Sequence, residues 1–283
     1  MDAPAVIDLL QVGGKLNHAD PLRHAQLLHF PAEGELLVTG DLHNHRRNFE
    51  RIAAFADLEH FPRRHVILQE IIHGGKLGAA GEDTSLALLL EAIRWARTYP
   101  GRVHFLLANH DLAQISGTPT LKEDGDQVER FARAFTVQFG PAAGVVSAAF
   151  EAFVRSMPLA GISVTGLFMS HSLPAPGDLP TFDTGLLQRE LNERDLQRGG
   201  AAYRMVWGRG QTAELLAALS RHWFAELYIC GHQPQERGYG LVCSNLLILD
   251  SSHNHGVILP LALDRQYRMS ELLERLVPLA AIA

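Results

Sequence analysis

Two residues that could bind a metal ion together follow an apolar run near the start of this 283-residue sequence. Asp41 and His43 come directly after the run Glu35–Thr39. Side chains at positions i and i+2 of an extended segment point to the same side, so this carboxylate and this imidazole can bind one cation together. Asp-x-His triplets are also common without a metal, and the pair alone does not define a site.

Similar residues follow later apolar runs. The two oxygens of Glu70 could bridge two cations, Asn109 offers a neutral oxygen, and His171 and His232 offer imidazoles. Each also has an ordinary alternative, as a solvated Glu, a turn Asn or a histidine at the edge of the core. Together, nitrogen and oxygen donors without a thiolate suit Mn, Fe, Zn or Ni. Two such ions about 3.5–4 Å apart form the kind of site that cleaves phosphate esters.

Strands and helices must position these residues. Continuous apolar runs predict strands buried on both faces at Glu35–Thr39, Val66–Leu68, Val103–Leu107, Ile162–Met169, Leu227–Cys230 and Leu246–Leu249. Helical patterns lie between them at Arg47–Leu58, Thr84–Tyr99, Gln127–Phe139, Ala142–Met157 and Gln211–Trp223. The alternation predicts an α/β fold with helices outside central sheets, and ligands of such sheets bind beyond the carboxyl ends of the strands.

The sequence predicts a single domain over residues 1–283, because no composition break or linker divides it. Residues of about 117–158 fall outside the alternation and are a candidate for a helical cap near the site. The net charge of -6 gives no broad attraction for nucleic acid or an anionic membrane. We find no secretory signal, no apolar stretch that approaches a membrane span and no disulfide framework, so we expect a cytoplasmic protein.

Five blocks resemble, in order, those of the calcineurin-like metallophosphoesterases: GDLHNH, LQEIIHGG, LLANHD, FMSHSLP and YICGHQP. The branch with the strongest resemblance is the serine/threonine phosphoprotein phosphatases and their bacterial relatives, including diadenosine tetraphosphate hydrolases. RMVWGRG resembles the later Trp-containing loop, and the resemblance spans roughly residues 30 to 265. It implies a two-sheet β-sandwich flanked by helices, with a dimetal site at one edge.

The resemblance also implies a role for each residue. Asp41 and His43 would hold the first metal, with Glu70 as the bridge. Asn109, His171 and His232 would hold the second metal. His110 would be the general acid toward the leaving-group oxygen, while a hydroxide between the metals attacks the phosphorus of a phosphate mono- or diester. The partner would be a phosphorylated small molecule or protein.

The second block departs from the family pattern. Gln69-Glu70 replaces the usual Gly-Asp, and His73-Gly74-Gly75 replaces Asp-Arg-Gly. His73 therefore stands where an Asp supports the acid histidine, and Gly74 stands where an Arg binds phosphate.

Other residues could compensate for these changes. Arg209 is the main candidate for the phosphate contact, with Arg46 and Arg47 as further candidates, and His73 is a second candidate substrate-binding residue. His253 and His255 could supply further imidazoles near the metals, or could be exposed turn residues.

Two alternatives to a general phosphoesterase remain open. One is a nucleotide or dinucleotide polyphosphate hydrolase on the same scaffold. The other is a phosphatase-like protein that binds metal but has weakened turnover, as the changes at residues 69, 73 and 74 would suggest. Retention of all six ligand types together with His110 favours an active enzyme.

Overall fold

The computed structural model describes residues 1–122 and 125–282 of the chain. In this part of the chain the strands are β1 (Arg23–His24), β2 (Leu27–Phe30), β3 (Glu35–Asp41), β4 (Arg64–Gln69), β5 (Val103–Leu106), β6 (Leu121–Lys122), β7 (Gly125–Asp126), β8 (Ala160–Ser163), β9 (Leu167–Ser170), β10 (Leu227–Cys230), β11 (Tyr239–Val242), β12 (Leu246–Leu249), β13 (Val257–Ala262) and β14 (Val277–Pro278). The α-helices are α1 (Ala3–His18), α2 (Arg46–Ala56), α3 (Leu86–Thr98), α4 (Asn109–Ser116), α5 (Gln127–Phe139), α6 (Ala143–Arg155), α7 (Glu193–Leu196), α8 (Ala201–Trp207), α9 (Ala213–Trp223) and α10 (Met269–Glu274).

Two sheets face each other at the centre of the molecule. The five-stranded sheet has the order β14-β13-β3-β4-β5, with β3, β4 and β5 parallel. The seven-stranded sheet has the order β1-β2-β8-β9-β10-β12-β11, with β9, β10 and β12 parallel. Their facing side chains share one buried core that includes Leu36, Val38, Ile67, Ile229, Leu247 and Leu249. The predicted α/β fold, a two-sheet β-sandwich flanked by helices, is confirmed.

Most predicted strands and helices are present with bounds within two residues of those expected. The exception is the stretch Ile162–Met169, which we predicted as one strand. It is a hairpin in which β8 and β9 pair antiparallel, with Ile162 opposite Phe168. The chain reverses at residues 164–166, where Gly166 adopts a φ of 81° that suits glycine.

Helix α1 packs against α3 and α6. Its N-cap Asp2 accepts a hydrogen bond from the Ala5 amide, and Val6, Leu9 and Leu10 are buried on one face. Helix α3 contacts β5, and one apolar cluster continues from the five-stranded sheet into α1 and α3.

The proposed cap contains β6, β7, α5 and α6, and residues 123 and 124 within it lie outside the described residues. By length and composition alone, the stretch Gln127–Arg155 could cross a membrane, with 22% of its most apolar window buried. It is divided at Gly140–Ala142, however, and α6 packs on α1. The single domain and the role of a cap near the site stay predictions.

Candidate metal centre

The six predicted ligands come together at one edge of the sandwich, because the strands that carry them end there. β3, β4 and β5 are parallel and place Asp41, Glu70 and Asn109 at the same end of their sheet. β9 and β10 are parallel and place His171 and His232 at the same end of theirs. A backbone bridge from Asp41 to Asp250 joins the two sheets at this edge.

One half of the centre contains Asp41 and His43, which belong to two different groups of potential ligands. His43 Nε2 lies 3.7 Å from Glu70 Oε2, and Asp41 Oδ1 lies 3.6 Å from His171 Nδ1. Ligand atoms of Asp41, Glu70 and His171 all lie within 4.8 Å of one another, as do those of His43, Glu70 and His110. Both groups contain Glu70 and could hold a metal ion.

The other half is built around Asn109. Its Oδ1 lies 2.7 Å from His171 Nε2 and 2.9 Å from His232 Nδ1. Glu70 Oε2 lies 3.5 Å from the same His171 Nε2. One oxygen of Glu70 therefore lies within 4 Å of a ring nitrogen of both His43 and His171, so this carboxylate is close to both halves of the centre.

The two imidazoles of the second half are held neutral. Burial lowers the pKa of His171 well below its usual range, with the neighbouring His232 as the next cause. Burial also lowers the pKa of His232 to about 3, helped by the charge of Arg209. Because a histidine binds metal through an unprotonated nitrogen, these two rings are ready to act as ligands near neutral pH.

The loops of the centre have an unusual backbone. His43, Asn44, Glu70, His73 and His232 all adopt φ values between 42° and 68°, in the left-handed region that residues other than glycine rarely enter. Such positions cost about 1–3 kcal/mol each and cluster at functional sites. The loops after β3 and β4 also stabilise each other, because the backbone amide of His43 donates to the Glu70 carbonyl at 2.8 Å.

The predicted acid His110 lies in the first turn of α4, directly after Asn109. It is nearly buried, and its Nε2 lies 3.7 Å from Glu70 Oε1. His73, which we predicted to contact substrate, is fully buried behind His110, with its Nδ1 2.9 Å from His110 Nδ1. The side chain of His73 therefore reaches the site through His110 rather than by facing a substrate.

The three arginines that we predicted as candidates for a phosphate contact lie in different surroundings. Arg209 is exposed and next to the centre, where its Nε donates to His232 Nε2 at 3.0 Å. Arg46 forms an ion pair with Glu91, and Arg47 is exposed on α2.

The two late histidines do not join the groups of potential ligands found in the described residues. His253 Nε2 lies 2.9 Å from the Gln235 carbonyl and 3.5 Å from Asp250 Oδ2. His255 is exposed.

Two residues contribute to the centre in ways that the sequence did not reveal. Gln69 Oε1 accepts from His171 Nδ1 at 3.1 Å, while Gln69 Nε2 donates to the Thr39 carbonyl at 2.7 Å, so this amide orients His171. Gly231 leaves room for the first ligand, since a Cβ there would overlap Asp41 Oδ1. For Gln69, the sequence did offer a signal, which is its position directly before the predicted ligand Glu70.

Close packing also explains why position 74 is a glycine. A Cβ at this position would overlap the His43 carbonyl oxygen. An arginine therefore does not fit here with this backbone, and a phosphate-binding cation has to come from elsewhere in the chain.

The donor set fits divalent cations. It contains two carboxylates, one amide oxygen and three imidazoles, with no thiolate, which matches the preferences of Mn, Fe, Zn or Ni. The neutral state of His171 and His232 and the central position of Glu70 agree with this fit.

Comparisons with known proteins agree on the fold. No family model and no curated protein sequence matches the chain. Among solved structures, it is similar to a protein serine/threonine phosphatase from Saccharomyces cerevisiae described as similar to human phosphatase PP5, with a TM-score of 0.69, 12% identity, and 99% of this chain and 94% of that chain covered. A cold-active protein-tyrosine phosphatase from a psychrophilic Shewanella species gives a TM-score of 0.57, 15% identity, and coverage of 84% and 78%. The chain has the fold of these phosphatases, and this fits the superfamily that the five sequence blocks resemble.

Proposed function

We propose that this protein is a metal-dependent phosphoesterase that hydrolyses a phosphate mono- or diester. The observation that carries the proposal is the position of Glu70 Oε2, 3.7 Å from His43 Nε2 and 3.5 Å from His171 Nε2. A carboxylate shared between two sets of ligands at this spacing is what a dinuclear site needs. The phosphatase fold supports the same conclusion.

The residues divide into two sets of ligands that share Glu70. Asp41 and His43 would hold one ion, and Asn109, His171 and His232 would hold the other. When bound, the ions neutralise phosphate oxygens and make a nucleophilic water available near neutral pH. The chain itself holds the ligands in place, since the His232 amide donates to both Asp41 oxygens at 2.9 and 3.0 Å.

His110 is the proposed general acid. Its Nε2 faces the centre at 3.7 Å from Glu70 Oε1, while its Nδ1 is occupied by His73. A protonated Nε2 can therefore donate to the leaving-group oxygen, which stabilises the departing alcohol. Arg209 is the proposed phosphate contact, because its guanidinium is exposed and touches His232.

One observation favours a nucleotide or dinucleotide polyphosphate as substrate. The Trp207 ring lies 6.1 Å from the His232 ring and stacks on Tyr203 at 5.6 Å. An aromatic pair next to the centre offers a surface on which a nucleobase can stack. Rates on diadenosine polyphosphates and on phosphopeptides, measured side by side, separate the two substrate classes.

Hydrolysis of p-nitrophenyl phosphate and its bis-ester tests the proposed function. The metal-stripped protein should be inactive, and added Mn²⁺ should restore turnover. The variant Asn109→Ala should lose activity, whereas His29→Ala, at an exposed position outside the centre, should keep it. A protein that binds two ions and cleaves neither ester would be the metal-binding protein of weakened turnover, and the enzyme proposal would fail.

A further inference from the structure

We propose that a cavity at the end of the sandwich away from the metal centre binds an uncharged aromatic molecule of one or two rings. The cavity has a volume of about 290 Å³ and lies among β2, β8, the turn between β8 and β9, and the C-terminal end of α9. Gly166 lines it directly before β9, whereas the candidate ligand His171 directly follows β9. The strand therefore separates the two sites, and the proposal does not rest on the proposed function.

The inner wall of the cavity is apolar and held in place. Phe30, Leu187 and Trp223 line it, and at most 7% of each is exposed. The Trp223 ring stacks on Phe168 at 4.9 Å, and its Nε1 donates to the Thr184 carbonyl at 2.9 Å. Because both contacts fix the indole, the cavity has its shape before any ligand binds, as small-molecule sites usually do.

Two apolar side chains at the opening of the cavity are exposed to solvent. Phe224 is 83% exposed and Val164 is 68% exposed, and both line the cavity. Removing apolar surface from water is favourable, so a ligand that covers both side chains gains binding free energy from them.

The backbone of Phe224 is an independent observation that points to the same place. This residue ends α9 with a φ of 55°, in the left-handed region that bulky residues rarely enter. Glycine adopts this conformation without the steric cost and is the usual residue at such helix ends. An exposed ring on a strained backbone contributes little to stability, and strained residues cluster at functional sites.

The residues of the wall determine the class of ligand. Among the described residues, those that line the cavity include no Asp, Glu, Lys or Arg, so a charged ligand would lose its hydration without gaining an ion pair. Phe30, Trp223 and Phe224 offer aromatic surface on which a ring can pack edge-on or offset-stacked. His222 and Gln188 are among the polar side chains of the wall and can hydrogen-bond a hydroxyl or ring N–H group.

The size of the cavity limits the ligand. A volume of about 290 Å³ is at the lower end of the roughly 300–1,000 Å³ found for small-molecule sites, so a molecule of one or two rings fits and a peptide segment does not. 2-Naphthol is an uncharged two-ring probe with one hydroxyl group, and naphthalene-2-sulfonate is the matched anion with the same rings.

NMR of the full chain as purified tests the proposal, because its three tryptophans give three indole N–H signals. Trp223 lines the cavity, Trp207 lies beside the metal centre, and Trp95 packs on Phe49. The signals are assigned with Trp95→Phe and Trp207→Phe. Titration with 2-naphthol should shift the Trp223 signal alone, with a Kd below about 1 mM, and naphthalene-2-sulfonate should bind about 10-fold more weakly or worse.

Two variants test the opening of the cavity. Phe224→Gly removes the ring and suits the φ of 55°, so the protein should unfold at the same temperature or a higher one, while the Kd for 2-naphthol rises by about 10-fold. Val164→Asp places a charge at the opening and should also weaken binding. Val145→Asp, at an exposed valine of α6 outside the cavity, is the matched control and should bind like the wild type.

Four results would overturn the proposal. The Trp223 signal could stay in place with 2-naphthol at about 1 mM, or the sulfonate could bind as tightly as the naphthol. A shift of Trp207 instead of Trp223 would place the probe at the metal centre. A wild type that dimerises in sedimentation while Phe224→Gly stays monomeric would make this face an interface between copies of the chain. Loss of the phosphoesterase proposal would leave all of these readouts unaffected.

Discussion

At the scale of single residues, the sequence explains the positions of some ligands of the centre better than those of others. Asp41 ends a strand as its apolar run predicts, but His43 lies in the turn after it at a φ of 42°, so the extended segment assumed from their spacing is not what brings these two residues to the centre. The position of Glu70 does not follow from the sequence, because the sequence block around it departs most from the family pattern, and glutamate rarely adopts the left-handed φ of 47° found there. Glu70 Oε2 nevertheless lies 3.7 Å from His43 Nε2 and 3.5 Å from His171 Nε2.

The variant Glu70→Gln tests this central position. The substitution keeps the size of the side chain but removes the negative charge that two cations would share, so we expect the protein to bind fewer than two ions. Elemental analysis of dialysed protein measures the change. Glu91→Gln, at a partly exposed residue paired with Arg46, is the control and should bind metal like the wild type.

The variant His110→Asn tests whether His110 acts as the general acid or as a metal ligand. Because His110 also belongs to a group of potential ligands with His43 and Glu70, the two roles give different results. As the acid, its loss should leave metal content unchanged and lower activity by roughly 10²–10⁴-fold. A loss of bound metal would instead make His110 a ligand.

At the scale of secondary structure elements, the sequence predicted the strands that carry the centre. β3, β4, β5, β10 and β12 are continuous apolar runs that end at polar residues, and such runs have few other folded conformations. The hairpin of β8 and β9 was missed, because apolar residues flank a short turn on both sides. Helix α1 was not among the predicted helices.

The loops after these strands could not be predicted to the same degree. Their geometry depends on contacts between distant residues, such as the bond from the His43 amide to the Glu70 carbonyl. The roles of Gln69 and Gly231 likewise arise from neighbours that are far away in sequence.

The loop after β10 provides a test at this scale. In Gly231→Ala the new methyl group would overlap Asp41 Oδ1, so we expect weaker metal binding and a loss of activity. Gly177→Ala is a matched control, because a Cβ at Gly177 meets nothing within 4 Å. Isothermal titration with Mn²⁺ compares the two, and equal affinities would contradict the close packing at Gly231.

At the scale of the whole molecule, a second buried histidine cluster lies at the opposite end of the same strands. His104 Nδ1 lies 2.7 Å from Asp20 Oδ2, and His65 Nδ1 lies 3.1 Å from His104 Nε2. Burial lowers the pKa of His65 to about 4, with the neighbouring His104 as the next cause. This cluster connects the segment after α1 to β4 and β5.

The cluster predicts how stability depends on pH. Between about pH 6.5 and pH 4 the unfolded chain protonates His65 and the folded chain does not, so this residue should contribute a fall of about 1–3 kcal/mol in the free energy of unfolding as the pH falls. The lowered pKa of Asp20 adds a loss only at still lower pH. Chemical denaturation at pH 7 and pH 4.5 measures the fall, which should be smaller in His65→Gln and unchanged in His29→Gln.

The anomalous scattering of Mn²⁺ in crystals of the metal-loaded protein tests the central claim most directly. We predict two peaks about 3.5–4 Å apart, with the Glu70 carboxylate between them. Asp41 and His43 should lie beside one peak, and Asn109, His171 and His232 beside the other. A single peak in the centre, or ions bound away from Glu70, would contradict the account.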